Sequence, residues 1–455
     1  MHNILLPAKK LSGWGRYPVE ECFIAKPSTV MDVQMLLKKN KEIKNWIVYG
    51  LGRSYGDTPL NKNGGVIIFT KWNHFISFDV QSGILECEAG VSFNEILDIV
   101  VPRGYFLPVT PGTKFVTVGG AIANDVHGKN HHVDGTFSEF VKDFTLLTAS
   151  GEIVRCSRSE NSELFWATIG GLGLTGIILT VRFQLIPIET TYIDVHYQRA
   201  KNLDEALLLF NQSDEKYQYS VAWIDCLAKG SSLGRCVLMR GNHAKLEQVD
   251  LKQRKMQTQN KNKISIPFDF PSFALNSFSI KAFNAIYYNI HPKNEKKIVD
   301  YEKFFYPLDS ILHWNRMYGK RGFIQYQVVF PLESCQAGLT KMLERLSESK
   351  RSSFLAVLKS SGDENQGLLS FPKRGFTLAL DIPYDDSLFD FLKSLDELVI
   401  SYGGRVYLAK DSTLSPEHFK VMYPKVNEFR RIKEKIDPNH LFSSSMARRL
   451  GILED

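Results

Sequence analysis

PGTKFVTVGGAIANDVHGKNHH, residues 111–132, decides how the rest of the chain is read. It puts a Pro-Gly turn, a Gly-Gly pair, small residues and three histidines into one short run. Glycine lets a backbone approach a flat or phosphorylated ligand closely and take up dihedrals closed to other residues. Ala121, Ile122 and Ala123 beside the glycines are slim or apolar. The segment reads as main chain laid against a cofactor, followed by polar side chains delivered beside it.

Working outward, the chain has the bulk properties of a globular enzyme. Its 455 residues are too many for one simple core, so more than one domain is expected. The hydrophobic fraction is 44% and the charged fraction 23%, both ordinary for a folded protein. The net charge of +7 is spread along the whole length. That suits an anionic ligand or an acidic membrane surface and gives no nucleic-acid signature. Cys22, Cys87, Cys156, Cys226, Cys236 and Cys335 form no CxxC pair and read as reduced, buried thiols of a cytoplasmic protein. Ile4 to Leu6 is too short for a signal peptide, and no run of about 18 apolar residues predicts a membrane span.

The first 190 residues alternate strand and helix signals. Cys22–Ala25, Trp46–Tyr49, Gly65–Ile68 and Gly83–Cys87 read as strands. Ser92 with Glu95 three positions on is a capping box opening a helix. Residues 144–148 and 152–155 flank Ala149-Ser150-Gly151 as a hairpin. From about 190 to 400 the texture changes, with strands at 325–330 and 376–381 and helices at 203–210 and 388–400. A lysine-rich stretch (245–263) and an aromatic-rich one (266–288) lie between them. They read as a solvated loop or helix face, or as a lid or lipid-facing segment. Residues 416–438 return to a helical pattern.

Three glycine-rich loops fall within the first 180 residues. GLGRSYGD (50–57) follows a strand, and its amides could converge on a pyrophosphate. It is not a Rossmann fingerprint, since position 55 is Tyr and no clear helix follows. Without a cofactor, Arg53 and Tyr55 would be turn-flanking surface residues. The second loop is the Gly119-Gly120 turn. The third, GGLGLTG (170–176), runs into a buried strand. Three such loops in one alternating domain suggest a long, flat, phosphate-bearing cofactor, and FAD fits better than a mononucleotide. The HxxxHH spacing of His127, His131 and His132 has some metal flavour, but no cysteine or carboxylate pair lies at ligand spacing, so no metal is expected.

GWGR (13–16), GLGRSYGD, the 111–132 run, ELFWATIGGLGLTG (163–176) and SSSMARRL (443–450) resemble flavoproteins of the vanillyl-alcohol-oxidase superfamily with a PCMH-type FAD-binding domain. Within it the chain is similar to the decaprenylphosphoryl-β-D-ribose 2′-oxidases, flavoprotein subunits of a 2′-epimerase. YSVAWIDC (219–226), WNRMYG (314–319), FIQYQVV (323–329), DIP (381–383) and YLAKDS (407–412) extend the likeness over nearly the whole chain. The resemblance implies an α+β fold. Residues 1–190 would form the FAD domain, 191–405 a substrate domain with an antiparallel sheet flanked by helices, and 406–455 a segment returning to the FAD domain.

It also implies site residues. Trp14, Gly52, Arg53, Ser54, Tyr55, Gly56, Pro111, Gly112, Thr117, Gly119, Gly120, Asn124, His127, Gly128, Gly176, Ile177 and Lys410 would hold FAD. Arg53 stands where many superfamily members carry a tethering histidine, so attachment would be noncovalent. Lys129, Trp223, Gln325, Gln327, Lys359 and Thr377 would face the substrate. His127, with Lys410 or Tyr55 as alternatives, would take the alcohol proton while the flavin accepts hydride. Ala379, Thr377 and Phe305 depart from the mycobacterial pattern of Cys, Asn and Tyr, which bears on pocket shape.

The implied reaction oxidises a polyprenyl-phosphoryl-β-D-ribose at its 2′-hydroxyl, first half of an epimerisation to the arabinose form. An NAD(P)H-dependent short-chain reductase would complete it at the inner face of the cytoplasmic membrane. An aldonolactone or other soluble carbohydrate oxidase, and a non-catalytic flavin-binding partner subunit, are the competing readings.

Overall fold

The strands Leu5–Ser12, Val19–Ala25, Gly65–Ile68 and Trp46–Tyr49 join, in that order, into the first sheet of a computed structural model. The structure describes residues 5–453 except 40–41, 213–215, 257–263, 272–275, 350, 352 and 354. The first two strands pair antiparallel and the others parallel. A second, fully antiparallel sheet runs Phe75–Asp79, Ile84–Glu88, Ile177–Gln184, Val141–Leu147, Ile153–Ser157. Its last pair is the hairpin expected around Ser150. The capping box of the helix Phe93–Val100 forms as expected, with Ser92 and Glu95 exchanging hydrogen bonds.

The third sheet has eight strands, all antiparallel. Its order is Asn294–Asp300, Tyr192–Ala200, Cys236–His243, Tyr219–Ile224, Ala356–Ser361, Gly375–Pro383, Phe323–Pro331, Arg405–Val406. The helices Leu203–Asn211, Cys335–Ser349 and Leu388–Ser401 pack on it. Strands from residues 192 to 406 thus build one face, so a side chain at every second position of each strand points the same way. This mixed α/β architecture sets two smaller sheets, built by residues 5–184, beside a large antiparallel one.

The C-terminal stretch returns to the first sheet. Trp46 donates its backbone N–H to Leu441 at 2.7 Å, and Ser443 donates to Trp46 at 3.0 Å. The helical pattern of 416–438 is broken: Pro416–Met422 and Val426–Ile436 are separate helices, because Pro424 cannot continue the first.

Gly119-Gly120 is corrected from a turn to the interior of a short helix, Val118–Ala123. Thr117 caps it by accepting from the Gly120 N–H. Glycine persists there for space, since a Cβ on Gly119 would lie 3.0 Å from the Ala89 Cβ. All six cysteines are free and buried. No described helix is long and apolar enough to cross a membrane. Part of the 245–288 region lies outside the described residues; its end enters the helix Ser277–Ile290, capped by Asn276.

Candidate active site

A cleft opens where the three glycine loops meet the face of the eight-stranded sheet. One wall is the main chain of Gly50 to Tyr55, with Pro111, Gly112, Thr117, Gly119, Gly120 and Asn124 beside it and Gly173 and Gly176 behind. Close approach explains the glycines of the first loop. Gly52 has φ +64°, and a Cβ there would meet the Tyr49 hydroxyl at 2.1 Å. A Cβ on Gly50 would strike the Thr117 hydroxyl at 2.6 Å. Gly112 has nothing near its missing Cβ, so it presents bare backbone to the cleft. Arg53 lays its guanidinium over Trp14 at 3.9 Å, and its Nε is buried without a partner.

The opposite wall is built by strand register. Gln325 pairs with Asp381; Gln327 with Ala379, Val357 and Trp223 in turn; Val329 with Thr377 and Lys359. Gln325, Gln327, Lys359, Ala379 and Asp381 therefore share one floor, and all line the cleft. The third wall is Tyr407 to Lys410, leaving the short strand Arg405–Val406. Tyr55 donates its backbone N–H to Ala409 at 3.1 Å, and the Lys410 ammonium sits 4.1 Å above the Tyr55 ring.

Of the expected site residues, Trp14, Gly52 to Tyr55, Pro111, Gly112, Thr117, Gly119, Gly120, Asn124, His127, Gly176, Gln325, Gln327, Lys359 and Lys410 border the cleft. The others lie outside its lining. A Cβ on Gly56 would lie 1.7 Å from the Asp411 carbonyl, so Gly56 is a contact between chain segments. Gly128 is pressed against Thr110. Ile177 points into the core while Ile178, one position on in the strand, faces the cleft. Lys129 donates to the Phe304 and Phe305 carbonyls at 2.7 and 3.1 Å. Trp223 packs on Tyr287 at 4.6 Å between ring centres. Thr377 is buried one row beyond Gln327.

The histidines disperse to separate partners. The Gln327 amide lies 2.9 Å from His127 Nε2, and an amide nitrogen can only donate, so that ring nitrogen accepts. His131 Nδ1 accepts from the Gly362 N–H at 2.9 Å, and His132 Nε2 meets the Tyr217 carbonyl at 3.1 Å. His127 lies against Phe371 and Tyr407, and this burial, with Lys359, His131 and Lys410 nearby, holds its pKa well below the usual range.

Cations gather here. Burial pushes Lys410 down to about 7, with Asp381 opposing the shift and Lys359 adding to it. Lys359 is brought to about 8 by burial, and Lys129 to about 7 by burial and by Lys359. Asp381 moves the other way, up to about 7, through burial, against the Gln325 hydrogen bond and Lys410. Sequence reasoning missed Asp381, Asp309, Tyr407 and Trp314 as lining groups. The parity of Thr377, Ala379 and Asp381 along one strand was the available signal for Asp381.

Comparison with known proteins agrees with this geometry. Residues 23–157 match the FAD binding domain family, and residues 379–450 match D-arabinono-1,4-lactone oxidase. The chain is 38% identical over 451 residues to decaprenylphosphoryl-beta-D-ribose oxidase of Mycolicibacterium smegmatis, covering 98% of each. It is 31% identical to an uncharacterized protein of Streptomyces coelicolor, over 80% of this chain and all of that one. L-gulonolactone oxidase of Bos taurus is 32% identical over 44% of this chain and 46% of its own. A glycine-lined cleft facing a polar sheet thus belongs to an FAD-dependent oxidoreductase acting on CH–OH groups, and the chain is a member of the FAD-binding PCMH-type oxidase family.

Proposed function

We propose that this enzyme oxidises the 2′-hydroxyl of a polyprenyl-phosphoryl-β-D-ribose to the 2′-keto sugar. The 38% identity over 98% of both chains carries the reading, because the matches to lactone oxidases cover under half of the chain. The cleft supports it: Lys359 and Lys410 are half-buried amines beside the amides of Gln325 and Gln327, and a phosphoryl sugar is an anion bearing hydroxyls.

The bare backbone of Gly50 to Ser54 and Gly112, with the unpartnered Arg53 Nε and Asn124 Oδ1, suits FAD. Bound there, FAD supplies two-electron oxidation by accepting hydride. The protein's part is to orient the carbinol C–H, exclude water and receive the hydroxyl proton. Gln327 places His127, whose burial keeps it neutral and suited to hold a hydroxyl. Lys129, tied to the Phe304 and Phe305 carbonyls, positions the substrate-side wall from behind. Arg53 in the phosphate loop supports noncovalent FAD. A separate reductase would consume the keto sugar.

Anaerobic mixing with polyprenyl-phosphoryl pentoses and with free aldonolactones tests the reading. The phosphoryl ribose should bleach the flavin, lactones should not, and acid denaturation should leave free FAD in the supernatant. Bleaching by lactones alone would select the aldonolactone reading. Bleaching by no sugar alcohol would select the flavin-binding scaffold.

A lipid-linked substrate also calls for contact with a membrane surface. On Ser277–Ile290, Phe278, Ala282, Ile286 and Ile290 line up at four-residue spacing, all exposed, with Phe278 81% accessible. Its other side is anchored by Asn284 on Asp225 at 2.7 Å and by Tyr287 on Trp223. Exposed Lys281, Lys293, Lys296 and Lys297 flank it, which favours an anionic surface. The protein should float with vesicles containing anionic lipid and not with zwitterionic ones. Phe278→Ser with Ile286→Ser should cut flotation at least about fivefold. Undiminished flotation of that variant would remove the helix from the contact.

A further inference from the structure

A buried carboxylate of the cleft lies on the sheet. Asp381 is 1% exposed and lines the cleft. Its backbone is fixed, since its N–H donates to Ser353 Oγ at 2.9 Å and to the Leu355 carbonyl at 3.2 Å. One carboxylate oxygen, Oδ1, accepts from the Gln325 amide across the strand pair at 2.5 Å. The other, Oδ2, is buried with no hydrogen-bond partner. A buried acceptor left unpaired costs free energy unless a ligand completes it, and such groups concentrate where function requires them.

The cleft's other carboxylate, Asp309, has both oxygens engaged by Thr113 and the Lys114 N–H, and His127, Tyr55 and Lys410 are less suited. His127 already spends Nε2 on Gln327, and its buried ring resists protonation. Tyr55 is neutral, its phenol pushed well above the usual range by burial and by Asp381. Lys410 sits over the Tyr55 ring and is drawn toward its charged form by Asp381, so within this pair it serves as the cation and Asp381 as the acceptor.

We propose that Asp381, through Oδ2, is the base that takes the sugar hydroxyl proton. This rests on the polyprenyl-phosphoryl-pentose oxidase reading above. The O–H bond breaks and its proton forms the O–H of the Asp381 carboxylic acid. The carbinol C–H electron pair leaves as hydride to FAD, the oxidant, and the carbon–oxygen bond becomes a carbonyl. Gln325 orients the carboxylate, and Lys410 favours its charged form before the step. The groups facing Asp381 are Gln325, Lys410, Tyr55 and Tyr318, with Lys359 reaching it through Lys410. No acidic group stands among these facing residues, so a proton on Asp381 is the way the floor loses negative charge.

The test is single-turnover flavin reduction by polyprenyl-phosphoryl ribose across pH 5.5–9, with ligand affinity read separately from the shift it causes in the flavin spectrum. Asp381→Asn should bind the substrate within about threefold of wild type and reduce about 100-fold more slowly. It should also lose the fall in rate that wild type shows on acidification through about pH 7. Asp381→Glu should regain part of the rate. Gln325→Leu removes a donor that favours the carboxylate, so its acid limb should move to higher pH. Asp381→Asn within fivefold of wild type, or with an intact acid limb, overturns the assignment. Should Asp381→Asn fail to hold FAD, the direction of the Gln325→Leu limb decides alone, and an unmoved limb overturns it. Wild-type flavin that no phosphoryl pentose reduces would instead overturn the substrate reading, a distinct result.

Discussion

Replacing Lys410 with methionine should slow flavin reduction about a thousandfold at pH 7 while FAD content stays near that of wild type. Lys410 is the cation of the Tyr407–Asp411 turn that borders the cleft. Its ammonium lies on the Tyr55 ring, and Tyr55 is in turn hydrogen-bonded through its backbone to Ala409, so cation and ring form one rigid unit. Oxidation of an alcohol moves negative charge onto the cofactor, and a fixed cation in a dry cleft stabilises that charge without reorganising. Removing one preorganised donor commonly costs about 10²–10³ in rate, and loss of a full charge belongs at the upper end. Methionine keeps the apolar stem and fills the space, so packing is not the variable.

The pH dependence supplies the sign. Burial depresses Lys410 to about 7, so its cationic form dominates below that pH and is lost as pH rises through it. Asp381 and Lys410 favour each other's charged forms, so the pair titrates as a unit with one limb on either side of neutrality. Wild type should show a bell-shaped reduction profile, Lys410→Met should lack the alkaline limb, and Lys410→Arg should hold its rate to higher pH. A methionine variant within tenfold of wild type would show that the ammonium is not part of the chemistry.

The glycine loops and strands of the first 190 residues were legible because local physics writes them. Capping, turn chemistry and β-branched runs act over a few residues, and Ser92 with Glu95 shows how completely one such signal can be read. The Val118–Ala123 helix was missed for the converse reason. Two glycines argue against a helix locally, and it persists because close packing on Ala89 outweighs propensity. The floor of the cleft was legible only in part. Gln325 and Gln327 were named, but Asp381 meets Gln325 through a strand register joining positions 56 residues apart, which no local pattern encodes. Lys129, Trp223 and Thr377 do not border this cleft: Trp223 and Thr377 lie on the same sheet face, beside Val357 and Lys359, and Lys129 is tied to the Phe304 and Phe305 carbonyls. Strand parity gives the face a side chain takes, whereas the edge of the cleft is set by which neighbours cover it.

Arg449→Met should destabilise the protein by about 3–5 kcal/mol and weaken FAD binding at least tenfold. Arg449 belongs to the C-terminal SSSMARRL run, 392 positions from Asp57. Its Nε and Nη2 donate to the two Asp57 oxygens at 2.9 and 2.7 Å. Nη2 also donates to Asp411 at 2.9 Å, and Nη1 to the Leu414 carbonyl at 2.7 Å. Burial opposes its charge, but the two carboxylates outweigh it and raise its pKa. Asp57 ends the GLGRSYGD loop and Asp411 follows Lys410, so one guanidinium joins that glycine loop to the Tyr407–Asp411 turn. Gly56 allows this approach, since any side chain there would overlap the Asp411 carbonyl. Methionine would leave two carboxylates, each 4% exposed, without a cation, and it is the stranded charge that makes breaking a buried pair costly. Arg448→Met is the control. That arginine contacts the neutral side chains of Asn61, Ser443 and Ser445, so the same change in net charge should cost about 1 kcal/mol or less. Adding Asp57→Asn to Arg449→Met should recover part of the loss in urea unfolding, because it removes one of the stranded charges. If Arg448→Met and Arg449→Met prove equally mild, the clamp does not hold the two segments, and the orientation of Lys410 has to come from Tyr55 alone.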